Sequence, residues 1–364
     1  MSLPLADAFK GRRIFMTGHT GFKGSWLALW LHKLGAQVFG YSLAPPTEPN
    51  NFELSGVRAL LAAHHESDIR DAARLAQALN DAEPEVVFHL AAQALVREGY
   101  ARPRETFDTN VLGTANLLEA VRMRRKPCVA IVVTSDKCYA PDGGGPAGHR
   151  ETDPLGGEDP YSASKAAAEH VVAAYRRAFF PPEGLARHGV KVASVRAGNV
   201  IGGGDWAKDR IVTDIVRSLA AQRPVPVRNP RAVRPWQHVL EPLGGYLTLA
   251  ARMLASDDPH WPDAWNFGPR GAGDVPVVEV VNQIIAAWGA GTWQDVSDAR
   301  QPPETAVLRL SIEKAVRELG WSPRWDLREA VRRTAAWYRA YYENPGADMR
   351  PACLDDIAAY EAAG

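Results

Sequence analysis

Short apolar runs rich in β-branched residues recur through the first half of the chain: RRIFMTG at 12–18, AQVFGYSL at 36–43, EVVFHLAA at 85–92, CVAIVVTS at 128–135 and VKVASVR at 190–196. Between them lie GSWLALWLHKLG, ETFDTNVLGTANLLEAVRMRR and YSASKAAAEHVVAAYRRAF, each with apolar residues at helical spacing. Strands alternating with helices predict a parallel sheet covered on both faces. The second half is less regular, with Gly- and Pro-rich joints at GNVIGGGDW, RPVPVRNPRAVRPW and NFGPRGAGDVP. A smaller, interleaved lobe is expected there. No repeat of 20 to 50 residues is apparent, and only the PDGGGPAG turn at 141–148 is of low complexity.

At 364 residues the chain can bury a large core, so two lobes or one large α/β unit is expected. Lysine plus arginine and aspartate plus glutamate both total 42, so the net charge is zero. No overall field favours nucleic acid or an anionic membrane, and an anionic ligand must be held by local groups. No run of eighteen apolar residues occurs, and the first residues lack an apolar leader segment, which points to a cytoplasmic protein. Cys128, Cys138 and Cys353 are an odd, scattered set with no CxxC, which argues against disulfides and against a metal site. Cys138 reads as a small buried filler.

The first strand ends in TGHTGFKG, which sets Gly18, Gly21 and Gly24 immediately before a helix. Glycines at that spacing allow a tight turn and close approach to a pyrophosphate, whose charge meets free N–H groups and the helix dipole. A dinucleotide site is therefore expected. The acid that usually holds the adenosine ribose at the end of the second strand is absent, since AQVFGYSL offers Ser42. NAD and NADP are both open. Asp68, in ESDIRD after a third strand, either accepts from the adenine amino group or caps a helix beginning at Arg70.

Two further features carry chemistry. YSASK sets Tyr161 and Lys165 four residues apart on one helix face, where the ammonium can stabilise a phenolate. TSDKCY sets Ser135, Asp136 and Lys137 side by side where the CVAIVV strand gives way to a loop. His89 and His238 stand in no metal-ligand spacing and read as structural.

Together these features resemble the extended short-chain dehydrogenase/reductases, and within them the nucleotide-sugar 4,6-dehydratases. TGHTGFKGSWLALWL, HLAAQ, TSDKCY, DPYSASK, RAGNVIGGGDW and RPWQHV carry the resemblance over nearly the whole chain. It implies a Rossmann-type, doubly wound parallel sheet with a smaller, interleaved C-terminal substrate lobe. The expected division is 1–198 with about 228–262 for the dinucleotide domain, about 199–227 with 263–350 for the lobe, and a C-terminal tail at 351–364. In such enzymes serine and tyrosine act on the C4 hydroxyl of the sugar, and NAD takes the C4 hydride. The neighbouring pair then removes the C5 proton and expels the C6 hydroxyl.

This chemistry accounts for TSDKCY. A C4 ketone acidifies the C5 hydrogen, so loss of water across C5 and C6 needs a base and an acid. Lys137 in neutral form would be the base and protonated Asp136 the acid, sharing one coupled proton. Many relatives carry Glu where Lys137 stands. The expected catalytic set is Ser135, Asp136, Lys137, Tyr161 and Lys165. The resemblance further implies cofactor contacts at Gly18, Thr20, Gly21, Phe22, Lys23, Gly24, Ser42, Asp68, Ile69, Leu90, Ala91, Ala92 and Asn110, besides Tyr161 and Lys165. It implies substrate contacts at Gln93, Asn199, Arg210 and Arg234, with Arg228 and Arg231 left to the surface. The implied substrate is a nucleotide-diphosphate hexose, CDP-glucose by the closest likeness of the motifs, on a route to deoxysugars. Helices around 105–124 and 161–178 imply a homodimer or tetramer. A nucleotide-sugar 4-epimerase would need no acid/base pair at 136–137. A non-catalytic dinucleotide sensor would need none of Ser135, Tyr161 and Lys165.

Overall fold

The five apolar runs fold as strands, and two shorter segments join them: β1 (Arg13–Thr17), β2 (Gln37–Ser42), β3 (Ala63–Glu66), β4 (Val86–His89), β5 (Cys128–Val133), β6 (Val190–Ala197) and β7 (Ala264–Phe267). In the computed structural model, which describes residues 4–141, 145, 147–270, 274–298 and 308–363, they form one sheet in the order β7-β6-β5-β4-β1-β2-β3. Every pairing in it is parallel. The order reverses at β1, which has β2 on one side and β4 on the other. In such sheets the ligand crevice lies at the carboxyl ends of the strands beside that reversal, and the glycine turn and TSDKCY both follow strand ends there.

The helices are α1 (Phe22–Lys33), α2 (Ala72–Ala82), α3 (Gly113–Arg124), α4 (Pro160–Ala178), α5 (Ile211–Ala220), α6 (Leu240–Ala255), α7 (Val277–Trp288), α8 (Leu327–Glu343) and α9 (Arg350–Ala362), with shorter turns between them. Strand parity divides the core between the faces of the sheet. Ile14, Met16, Phe88, Ile131 and Val133 pack with Trp26 and Trp30 of α1 and Leu243 and Leu247 of α6. Phe15, Val87, Ala130 and Val132 face the other way, onto Leu75 and Leu79 of α2, Leu117 and Val121 of α3, and Val172 of α4. Both faces being covered, all of β4, β5 and β6 is buried, which explains why β5 is apolar on both faces rather than alternating, while β6 buries Lys191, Ser194 and Arg196 as well.

Beyond β6 the chain makes three small ladders: Val200–Ile201 with Gln237–His238, Val225–Val227 with Trp293–Asp295, and Val233–Pro235 with Asp274–Pro276. It re-enters the main sheet layer through α6 and β7 between these excursions. The stretch expected to be a tail is α9, docked on the first helix. Trp30 Nε1 donates to Glu361 Oε1 at 2.8 Å, Lys33 pairs with the same carboxylate, and Arg350 Nε donates to the Ser55 carbonyl at 2.9 Å. The helix expected at 105–124 is interrupted by a π turn at Asp108–Leu112. Such turns cluster at functional sites, and this one turns Asn110 inward. Most of the low-complexity turn at 141–148, residues 142–144 and 146, lies outside the described residues.

Candidate active site

Gly18 takes a left-handed φ of 75°, and a Cβ there would stand 2.6 Å from Ala91 N. The turn is thus wedged against the segment after β4. Gly24 has the same constraint, since its Cβ would stand 2.1 Å from the Gly18 carbonyl oxygen. Gly21 caps α1 with extended backbone and no side-chain acceptor, so the first-turn N–H groups are left for a ligand. A dinucleotide diphosphate fits this cradle. Phe22 and Lys23 follow in the first turn. Burial, then Arg210, pulls the Lys23 ammonium down to about 8.

At the end of β2 the Thr20 hydroxyl lies 2.8 Å from Ser42 Oγ. Ile69 is buried against Gly113, where a Cβ would meet its side chain at 2.4 Å. The Asp68 carboxylate accepts from Arg70 N at 2.9 Å and from Arg70 Nη2 at 2.6 Å, which holds it below the usual carboxylate range. The helix that follows begins at Ala72 and is capped by Asp71, whose carboxylate accepts from Arg74 N. The capping reading of Asp68 is thereby corrected, because the extra turn at 68–71 moves the cap three residues along. After β4, Leu90, Ala91 and Ala92 run past the glycine turn. Asn110 joins this segment to α4, accepting from Gln93 N at 2.8 Å and donating to Gln93 O at 3.0 Å and Ser164 Oγ at 2.8 Å. Gln93 does not present a free amide. Its Nε2 donates to Thr106 Oγ1 at 2.9 Å and its Oε1 accepts from Leu95 N at 2.6 Å, so its side chain shapes its own loop.

Where β5 ends, Ser135 caps a short turn at Asp136–Cys138. Its Oγ donates to Asp136 Oδ1 at 3.0 Å and accepts from Lys137 N at 3.2 Å. Asp136 is 3 % exposed, which rules out a solvated surface pair with Lys137, and its Oδ2 has no hydrogen-bond partner. Burial pushes its carboxyl up, against the opposing pull of Lys137, Ser135, Lys23 and Arg234. Gly198 explains how so buried a carboxylate keeps room: a Cβ there would lie 2.5 Å from Pro235 Cγ and 3.2 Å from Asp136 Oδ2. Tyr161, in the first turn of α4, is also buried, and burial raises its phenol, with the Ser135 hydroxyl as the largest opposing influence. Lys165 shares the helix face, as the spacing requires. Its Nζ donates to the Val133 carbonyl at 3.4 Å, and burial lowers it to about 8.

Beside this cluster lies an open pocket of about 130 Å³ lined by Asn199, Asp205, Arg210, Arg228, Arg234 and Trp236, among others. Arg210 lies near Asp205, with Nε 3.9 Å from Oδ2. Arg228, expected on the surface, belongs to this wall. Asp209 pairs with it at the pocket rim and Asp214 holds it at 3.0 Å, an arrangement made by the turn into α5. Arg231 is exposed.

Comparison with known proteins decides the family. The profile of the GDP-mannose 4,6 dehydratase family matches residues 15–334. The CDP-glucose 4,6-dehydratase of Salmonella typhimurium is 46 % identical, over 98 % of both chains. The chain belongs to the nucleotide-sugar 4,6-dehydratases. Among solved structures, the dTDP-glucose 4,6-dehydratase of Streptomyces venezuelae, crystallised with NAD, superposes with a TM-score of 0.72 at 25 % identity, over 90 % of this chain and 97 % of its own. The UDP-glucose 4-epimerase of Thermus thermophilus, also with NAD, reaches 0.73 at 25 % identity, over 90 % and 99 %.

This nucleotide-sugar dehydratase carries a buried charge network under its active loop that its motifs do not announce. Glu169, one turn beyond Lys165, accepts from Thr134 Oγ1, from Ser194 Oγ at 2.8 Å and from Arg196 Nη2 at 2.8 Å. Arg196 in turn donates to Tyr139 Oη at 2.7 Å, and Tyr139 donates to Asn266 Oδ1 at 2.7 Å. Burial alone would raise the Glu169 carboxyl, but Arg196 and the hydroxyls bring it below its ordinary value. A glutamate on the same helix face as Lys165 was the available signal. Cys138 is buried beside Tyr139, Ala166 and Leu310, as a filler should be. His89 lies between Thr17 Oγ1 and Thr114 Oγ1 at 2.7 and 3.1 Å. Burial holds both His89 and His238 at about 3. Among the described residues no group of side chains could hold a metal ion, and no helix is long and apolar enough to cross a membrane.

Proposed function

We propose that the protein is a CDP-glucose 4,6-dehydratase, a lyase that converts CDP-glucose to CDP-4-keto-6-deoxyglucose and water. The buried Asp136, flanked by Ser135 and Lys137 and with one carboxylate oxygen unpartnered, carries this reading. An epimerase needs no such acid beside its tyrosine. The Salmonella relative supports the nucleotide and the hexose. NAD is the proposed cofactor, held by the Gly18–Gly24 turn, by Thr20 and Ser42, and by Lys165. When bound, it accepts and returns hydride.

In this reading Tyr161 and Ser135 act at the C4 hydroxyl. Lys137 then takes the C5 proton, and Asp136 protonates the departing C6 hydroxyl. Arg234 and Arg210, with Asn199, meet the diphosphate and sugar; a neutral protein must gather its cations locally for that charge. The dinucleotide domain takes in 1–198 with about 228–267, extended from the expected 262 because β7 (Ala264–Phe267) is an edge strand of its sheet, and the substrate lobe takes in about 199–227 with 268–350. Phe107 and Leu112 expose 38 % and 56 % of their surface on the helices around 105–124, and Tyr100, on the short helix Val96–Ala101 before them, exposes 46 %. That apolar row supports a homodimer in which a second copy covers it. The reaction uses cytoplasmic nucleotide sugars and feeds deoxysugar synthesis.

The experiment is isotopic. Deuterium at C4 of CDP-glucose should appear in the C6 methyl of the product by NMR. Label retained at C4 would indicate an epimerase, label lost to free cofactor a simple dehydrogenase, and absence of reaction a binding protein.

A further inference from the structure

The turn that carries Ser135, Asp136 and Lys137 is held at both ends by one buried ion pair. Thr134, the residue before Ser135, donates its hydroxyl proton to Glu169 Oε1. Tyr139, the residue after Cys138, accepts from Arg196 Nη1 on its phenolic oxygen at 2.7 Å. Arg196 Nη2 closes the circuit by donating to Glu169 Oε2 at 2.8 Å. Residues 135–138 are thus suspended from a clasp whose two ends meet at a single carboxylate and guanidinium. Ser194 Oγ, from β6, adds a bond to Glu169 Oε2 at 2.8 Å, and Tyr139 donates its own proton to Asn266 Oδ1 at 2.7 Å.

The clasp belongs to the catalytic helix. Tyr161, Lys165 and Glu169 recur one turn apart on α4 and so share a face. Lys165 Nζ donates to the Val133 carbonyl at 3.4 Å, and Glu169 accepts from the next residue, Thr134. The end of β5 is therefore fixed against the helix that carries the tyrosine. The turn does little to fix itself, since the backbone bonds that close it, Cys138 N to Ser135 O and Tyr139 N to Asp136 O, are long at 3.2 and 3.4 Å. The bonds to the ion pair are shorter and charge-assisted. Stability alone does not account for the pair, because a buried ion pair seldom outdoes apolar side chains of the same volume. The best-attested use of such a pair is to set register.

We propose that the Glu169–Arg196 pair positions Asp136 and Lys137 for the elimination step, by holding the turn between Thr134 and Tyr139 in one register against α4; this rests on the dehydratase reading. Glu169 and Arg196 act through the turn and are positioning residues. Tyr161 and Lys165 stand on α4 itself and keep their places without the clasp. Ser135 moves least, because Thr134 N also donates to the Val195 carbonyl at 2.9 Å. Asp136 and Lys137 stand in the suspended part. Loosening the clasp therefore costs elimination more than oxidation at C4, since a misplacement of about 1 Å is enough to slow a step about a hundredfold.

Three variants release the clasp without emptying the core. Thr134→Val keeps the shape of the side chain and removes its hydroxyl, Thr134→Ser keeps the hydroxyl, and Tyr139→Phe removes only the phenolic oxygen. Backbone bonds on both flanks, Thr134 N to the Val195 carbonyl and Ala140 N to the Pro154 carbonyl, each at 2.9 Å, hold the path of the chain in all three. With CDP-glucose and NAD, Thr134→Val and Tyr139→Phe should each lower kcat about tenfold or more with KM within about twofold, and Thr134→Ser should stay within about threefold of wild type. Oxidation alone is read as bound NADH formed with the 6-deoxy analogue of CDP-glucose, which has no leaving group at C6, and its rate should stay within about twofold in every variant. In the cofactor-free protein, the infrared band of the Asp136 carboxyl group, identified by its loss in Asp136→Asn, should shift in Thr134→Val and return in Thr134→Ser. Equal losses of oxidation and turnover would assign the pair to the fold as a whole and overturn the proposal, as would wild-type turnover in both Thr134→Val and Tyr139→Phe. If the wild-type protein neither dehydrates CDP-glucose nor oxidises the analogue, the dehydratase reading falls, and the elimination role with it.

Discussion

Thr20 Oγ1 and Ser42 Oγ lie 2.8 Å apart, and Thr20 donates its own proton to the Leu43 carbonyl at 2.9 Å. Ser42 is therefore the donor between the two hydroxyls, and the end of β2 offers a neutral acceptor where such sites usually carry a carboxylate. A carboxylate would bind a ribose 2′-hydroxyl and repel a 2′-phosphate. Without it, wild-type protein should discriminate NAD⁺ from NADP⁺ by less than about tenfold, whereas Ser42→Asp should widen the gap by about tenfold or more. Calorimetric titration decides this, and a wild-type preference of several hundredfold would mean that another residue discriminates.

Lys137→Ala should block dehydration and spare oxidation at C4, because the base acts only after the ketone exists. Turnover should drop by about 10²- to 10⁴-fold, the usual cost of losing a general base. Enzyme-bound NADH should still form and C5 proton exchange should vanish. Tyr161→Phe should abolish both steps. Unimpaired turnover in Lys137→Ala would remove that residue from the mechanism.

Sedimentation should report twice the mass of the chain at micromolar concentration. Leu112→Glu, a charge placed on the exposed apolar row, should shift the protein toward monomer without unfolding it. A wild-type protein that sediments as a monomer throughout would end the dimer proposal.

The Glu169–Arg196 pair predicts a pH-dependent stability. The folded-state carboxyl of Glu169 lies below its ordinary value of 4.5, so the unfolded chain binds the proton more readily. The stabilisation is present above about pH 4.5 and fades as pH falls through the lower, folded value. Arg196→Met would leave the Glu169 carboxylate buried with only hydroxyl partners, a change that typically costs about 3–5 kcal/mol. Adding Glu169→Leu should recover part of that loss. Chemical denaturation of the single and double variants, at neutral pH and near pH 4, measures both effects, and strict additivity would show that the two side chains are not coupled.

The alternation of apolar runs and helices, the glycine turn, and the adjacency of Ser135, Asp136 and Lys137 all belong to local order, and the sequence by itself determined them. A parallel sheet buried on both faces leaves continuous apolar segments, and neighbours at a strand end stay neighbours after folding. β7 was invisible in AWNF, because a four-residue edge strand has too little pattern to distinguish it from a loop. The positions of Gln93, Arg228 and α9 depended on partners outside their own segments, for α9 across nearly the whole chain. Thr106 and Asp214 claim the first two side chains, and Trp30 meets Glu361 across 331 positions. The character of the site was decided at the same level. Asp136 is a buried carboxyl rather than a surface carboxylate, packed where Gly198 leaves it room beside Pro235. Burial raises the Tyr161 phenol because packing removes the water that would stabilise its charge. Burial is a sum over distant contacts, so the sequence could name these residues while only the tertiary structure set how deeply they are buried.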